Sequence, residues 1–75
     1  MIFNIQNTQG KKVKVFDPFG NVIKMATYYD TFSREVEFYA TKVGDPNKIA
    51  APYGRVMKVR CHMIGSWIEV DGVKY

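Results

Sequence analysis

Arg55–Met63 alternates: Met57, Val59, Cys61 and Met63 fall on one side, and Val56, Lys58, Arg60 and His62 on the other. Successive Cβ atoms of a strand point to opposite faces, so this period of two predicts a β-strand with one buried face. The same period recurs in Lys11–Phe16, where Lys12 and Lys14 oppose Val13 and Val15, and in Glu35–Thr41, where Val36, Phe38 and Ala40 point inward. Val22–Tyr29 is rich in the β-branched and aromatic residues that strands favour, and Ile2–Gln6 is short and apolar.

The punctuation between these runs is that of tight turns. Asn7-Thr8-Gln9-Gly10 is turn-prone, and Asp17-Pro18-Phe19-Gly20 places an acceptor, a preset φ and a glycine where a bulged hairpin needs them. Asp30-Thr31-Phe32-Ser33 can turn through the Asp30 side chain. At the C-terminus, Trp67–Val70 and Val73–Tyr75 flank Asp71-Gly72. A two-residue turn there sets Val70 opposite Val73, Glu69 opposite Lys74 as an ion pair, and Ile68 opposite Tyr75. Two stretches are less regular. Phe32, Val36, Tyr39 and Val43 also recur at helical spacing behind Ser33, so 33–43 reads as strand with helix as the alternative. Val43–Gly54 holds two prolines and two glycines and reads as a long loop.

The 75 residues make one domain, 1–75, because dividing them would leave neither half enough apolar surface to bury. A core of this size rarely supplies more than about 3–5 kcal/mol without a staple. One cysteine excludes an internal disulfide, and one cysteine with one histidine excludes a four-ligand zinc site of the usual kind. Self-association therefore becomes an expectation, either as a homo-oligomer or within a larger complex. Five or six short strands joined by tight turns imply an all-β, mainly antiparallel domain: a small SH3-like or OB-like barrel, or a curled sheet.

Chemistry is sparse in this sequence. Cys61 and His62 are adjacent, so on a strand they face opposite ways and cannot form a nucleophile–base pair. Glu35 and Glu37 share a face, which a row of opposing lysines and arginines explains better than paired catalytic carboxylates do. Asp17, Asp30, Asp45 and Asp71 all belong to turns. The glycines are scattered and form no phosphate-binding run. No enzyme activity, metal, cofactor or small-molecule substrate is expected.

One constellation remains. Net charge is +4, pI is about 9.3 and 15% of the residues are aromatic, more than a core this small can enclose. Lys58, Arg60 and His62 project together, as do Lys12 and Lys14. If the two strands are neighbours, they form a basic stripe with Tyr53 and Trp67 as nearby rings. Cations for phosphates and rings for bases suit single-stranded nucleic acid. Neither a basic apolar leader nor a run of membrane-spanning length is present, so a reducing, cytoplasmic setting is expected and no membrane partner.

The runs Val15-Phe16-Asp17-Pro18-Phe19-Gly20-Asn21-Val22-Ile23 and Tyr29-Asp30-Thr31-Phe32-Ser33-Arg34-Glu35-Val36-Glu37-Phe38-Tyr39 resemble small uncharacterised proteins encoded by tailed bacteriophages. The resemblance spans about 25 residues of turn and strand grammar. It implies a small β fold of viral origin, in the host cytoplasm or associated with the virion, and it transfers no site residues. Together these readings favour a protein-interaction module that docks on a host or virion protein or on copies of itself. A basic nucleic-acid-binding barrel is the alternative.

Overall fold

A computed structural model describes the backbone of residues 1–75 and all side chains except those of Pro46 and Pro52. Among the described residues there are nine strands: β1 (Ile2–Asn4), β2 (Val13–Phe16), β3 (Ala26–Asp30), β4 (Glu35–Tyr39), β5 (Thr41–Lys42), β6 (Asp45–Ile49), β7 (Lys58–His62), β8 (Trp67–Val70) and β9 (Val73–Lys74). They form three antiparallel sheets, with orders β1-β3-β4-β7, β2-β8-β9 and β5-β6. The all-β antiparallel class stands as read from the alternation. The sheets do not close into a barrel.

The reason lies in the run Val22–Tyr29, which is not one strand. Its first residues fold back on β2, through a bridge between Phe16 and Val22 and a bond from Ile23 N–H to Val15 C=O at 2.8 Å. Met25 then turns into the left-handed region (φ 59°), and the chain enters the four-stranded sheet as β3. A single continuous strand would have laced the two sheets together. The corner at Met25 instead leaves two sheets packed across one core. Phe3, Tyr29 and Val36 from one sheet meet Val15, Ile68 and Val70 from the other.

The turns follow their sequence signals closely. Asp17 Oδ1 accepts the N–H groups of Phe19 and Asn21, both at 2.9 Å, and Gly20 supplies a positive φ. Asp30 Oδ1 accepts Phe32 N–H at 2.9 Å, and this bond holds the Asp30 carboxyl below the ordinary carboxylate range. Segment 33–43 is extended, as β4 and β5, and the helical alternative is gone. The stretch 43–54 departs from the expected loop. Thr41–Ile49 is a hairpin turning at Val43-Gly44, followed by a short 3-10 turn at Pro52–Gly54. The prolines and glycines concealed it, yet β6 has a neighbour on one side only, where a residue lacking an N–H is tolerated. The C-terminal hairpin has the expected register, Val70 against Val73 and Glu69 against Lys74, with Tyr75 N–H on Ile68 C=O at 2.8 Å. Its expected ion pair is replaced. Glu69 accepts Trp67 Nε1–H at 3.2 Å, and Lys74 Nζ lies 4.6 Å from the Trp67 ring centre.

The core contains one polar chain. Tyr29 is fully buried, and its hydroxyl lies 2.9 Å from Ser66 Oγ. Ser66 spends its single proton on Met63 C=O, so Tyr29 must be the donor to Ser66, while Arg34 Nη1 donates to Tyr29 at 3.3 Å. Around this small core the chain exposes 5347 Å², against about 4,700 Å² for a compact monomer of its mass. Ser66→Ala leaves the buried Tyr29 proton without an acceptor and should cost about 1–3 kcal/mol in chemical denaturation. Tyr29→Phe removes the proton together with its oxygen and should cost about 1 kcal/mol. The reverse order of severity would refute the assigned donor direction.

Candidate interaction surface

The outer face of the four-stranded sheet takes every second residue of its strands. Register sets Glu35 against His62 and Glu37 against Arg60, with Tyr28 beside Glu37 on the other flank. Lys58 ends the basic row, opposite Tyr39. Arg60 reaches Glu35 through Nε and Nη2, both at 2.9 Å, and Glu37 through Nη1 at 3.8 Å. Lys58 Nζ lies 3.3 Å from Glu37, and His62 Nε2 lies 3.5 Å from Glu35. His62 Nδ1–H donates to Ser33 C=O at 3.1 Å, because a carbonyl only accepts. The guanidinium of Arg60 sits 4.3 Å above the Tyr28 ring, and Lys58 Nζ lies 5.2 Å from that of Tyr39. Glu35 and Glu37 are thus the opposing carboxylates of a basic row, as their spacing implied. The Glu37 hydrogen bond raises the Lys58 ammonium above the ordinary lysine value.

The residues singled out from the sequence separate into groups. Lys58, Arg60 and His62 lie together on β7. Lys14 and Trp67 lie on the outer face of the other sheet, with Lys12 just ahead of β2. Tyr53 stands alone and fully exposed on the 3-10 turn, at φ 55°. β2 and β7 belong to different sheets, so the single basic stripe that depended on their adjacency is not formed. Trp67 is occupied on both flanks, stacked on Phe16 at 5.1 Å and covered by Lys74. Tyr28 and Tyr39 supply the rings beside the basic row. Strand order decides this, and no local signal in the sequence identifies them.

The sequence also gave no sign of how the sheet edges differ. On β1, the Asn7 amide closes the edge. Its Nδ2–H donates to Ile2 C=O and its Oδ1 accepts Asn4 N–H, at 2.9 and 2.8 Å. On β2, Val22 and Ile23 cover the edge. β9 is only two residues long. β7 is a five-residue edge with none of these devices. Bonds from Ala40 N–H to Met57 C=O and from Met63 N–H to Arg34 C=O show that odd-numbered residues bond inward to β4. Antiparallel alternation then turns the N–H and C=O groups of Lys58, Arg60 and His62 outward.

The inner face of β7 is unevenly covered. Cys61 packs on the core beside Val36, whereas Val59 is 37% exposed and Met57 52%. The facing sheet is too short to reach them, its strands holding four, four and two residues. A separate cleft of about 250 Å³ lies between β1, β3 and β2. Its lining includes Phe3, Val15, Ile23 and Met25, with no carboxylate, histidine or cysteine among the described residues. No helix among those residues is long and apolar enough to cross a membrane.

Two outcomes check this geometry. Cys61→Ala should lower stability by about 1–2 kcal/mol, as expected for a small group packed on a core, and Cys61→Ser should fold and leave the outer face unchanged. The Lys58–Glu37 bond stabilises the fold below the ordinary lysine value of 10.5 and is lost as pH rises through the higher folded value. Alkaline titration of stability should therefore fall less steeply in Lys58→Gln than in the parent. Comparison of the chain with family models, with curated proteins and with solved structures finds no match.

Proposed function

We propose that this chain is a non-enzymatic protein-interaction module that works by strand addition at the β7 edge. The observation that carries the reading is the coincidence, on one strand, of outward-turned backbone groups and an apolar row left half uncovered. An added strand would satisfy the first and cover the second, which is how extended segments bind exposed sheet edges. Surface in excess of that of a compact monomer supports the same view. Against turnover stand the inward-facing Cys61, the ion-paired Glu35 and Glu37, and a cleft with no carboxylate, histidine or cysteine among its described residues. In keeping with the phage resemblance, the partner would be a host or virion protein.

The nucleic-acid reading draws on Lys12, Lys14, Trp67 and Lys74 at the other sheet. It has less support, because Trp67 lies between Phe16 and Lys74 and offers bases little free ring. Lys58 and Arg60 already face carboxylates.

The test is selection of short random peptides against the folded chain, followed by amide exchange in the complex. Selected peptides should protect the N–H groups of Lys58, Arg60 and His62. Arg60→Pro, which removes one outward N–H and no ladder bond, should abolish binding. Arg60→Gln, which keeps that N–H, should retain part of it. Protection confined to other strands, or equal binding by Arg60→Pro and Arg60→Gln, would refute docking at this edge.

A further inference from the structure

We infer that the occupant of the β7 edge is an extended segment of a different protein, one in which acidic and apolar residues alternate, and not a second copy of this chain. The inference rests on edge docking as proposed above and adds the chemistry of the partner. Residues directly opposed across a sheet share a face. On β7 the outer face is Lys58, Arg60 and His62 without exception. Antiparallel pairing with another β7 therefore sets this row against itself in any register, while parallel pairing through the same edge turns the second copy over and sets the row against its apolar residues, where the charges find no partner. Centred on Arg60, an antiparallel pair puts Arg60 against Arg60 and Lys58 against His62. The other edges of a second copy are poor substitutes, since Asn7 closes β1, Val22 and Ile23 cover β2, β5 and β9 have only two residues each, and β6 carries Pro46, which has no N–H to donate.

What suits the edge is visible on its other flank. β4 runs Glu35-Val36-Glu37-Phe38 and sets Glu35 against His62, Val36 against Cys61, Glu37 against Arg60 and Phe38 against Val59. A partner strand with that pattern would repeat the arrangement. Its apolar residues would cover Val59 and Met57, and its carboxylates would meet the basic row from the open side. The cations retain donors for this. Lys58 has three N–H groups and one near carboxylate. A basic partner would meet repulsion at Lys58 and Arg60.

Two capped synthetic peptides test this, Thr-Glu-Val-Glu-Val-Glu-Thr and Thr-Lys-Val-Lys-Val-Lys-Thr, each titrated into the labelled chain and followed by amide shifts and exchange. The acidic peptide should protect the N–H groups of Lys58, Arg60 and His62. It should bind about tenfold more tightly than the basic one, as expected when exposed charge pairs turn from attraction to repulsion, and the gap should narrow as salt rises. Equal affinities with protection at those amides would overturn the acidic preference and leave edge docking standing. No binding of either peptide would overturn the inference, and if library peptides still protect β7, edge docking survives it. A dimer seen by sedimentation that Arg60→Pro dissolves and Arg60→Gln strengthens would install a second copy as the occupant and overturn the inference outright.

Discussion

The buried hydroxyl of Tyr29 is the constraint on which the two-sheet arrangement depends. A phenol taken out of water must find an acceptor, and here the acceptor is Ser66, on the short connection that carries the chain from β7 to β8. That requirement ties the centre of one sheet to the point where the chain enters the other. Gly65, beside Ser66, is left-handed (φ +90°), and a Cβ there would come within 3.3 Å of Pro18 Cβ. Pro18 belongs to the turn that starts the other crossing between the sheets. The two crossings therefore touch at Gly65 and Pro18, with the Arg34–Tyr29–Ser66–Met63 chain beside them. Few apolar residues are buried, so the placement of this polar chain accounts for much of what distinguishes this packing from others of similar hydrophobicity.

From that anchor the mismatch between the sheets follows. Fixing Ser66 against Tyr29 places β8 over Val36 and Phe3, and its companions β2 and β9 are too short to extend the cover along β7 toward Met57. Exposure accordingly rises along the inner row from Cys61 to Met57. A chain with no disulfide available and no long facing strand has few ways to shield such a row. The unfinished end is a consequence of the core's location.

Legibility in the sequence followed the range of the interactions involved. Turns specified by a side chain a few residues away were readable, as at Asp17 and Asp30, and so was the Asp71-Gly72 hairpin with its register. Alternation located β2, β4 and β7 and their inner faces. The corner at Met25 was not readable, because no local rule puts a methionine in the left-handed region, and that one residue separates a barrel from two sheets. The β5–β6 hairpin was hidden by Pro46, whose missing N–H is tolerated on an edge. Among the candidate residues, Lys58, Arg60 and His62 were found by period and are adjacent in space. Their joining to Lys12 and Lys14 needed a strand order that periodicity does not contain. Glu69 and Lys74 show the same limit on a smaller scale. Register placed them opposite each other, and the Trp67 indole engages both.

Edge strands are hazardous because their free backbone groups will pair with almost any extended chain, copies of the same chain included. A charge row of one sign removes that hazard selectively. It opposes antiparallel self-pairing in every register, since directly opposed residues then both belong to the charged row, and it leaves the backbone groups available to a strand of opposite sign. Closing the edge with a side-chain amide, as Asn7 does on β1, would block every partner alike. The two edges of the same sheet thus carry different solutions to one problem. β1 is sealed by a side-chain amide and β7 is restricted by charge.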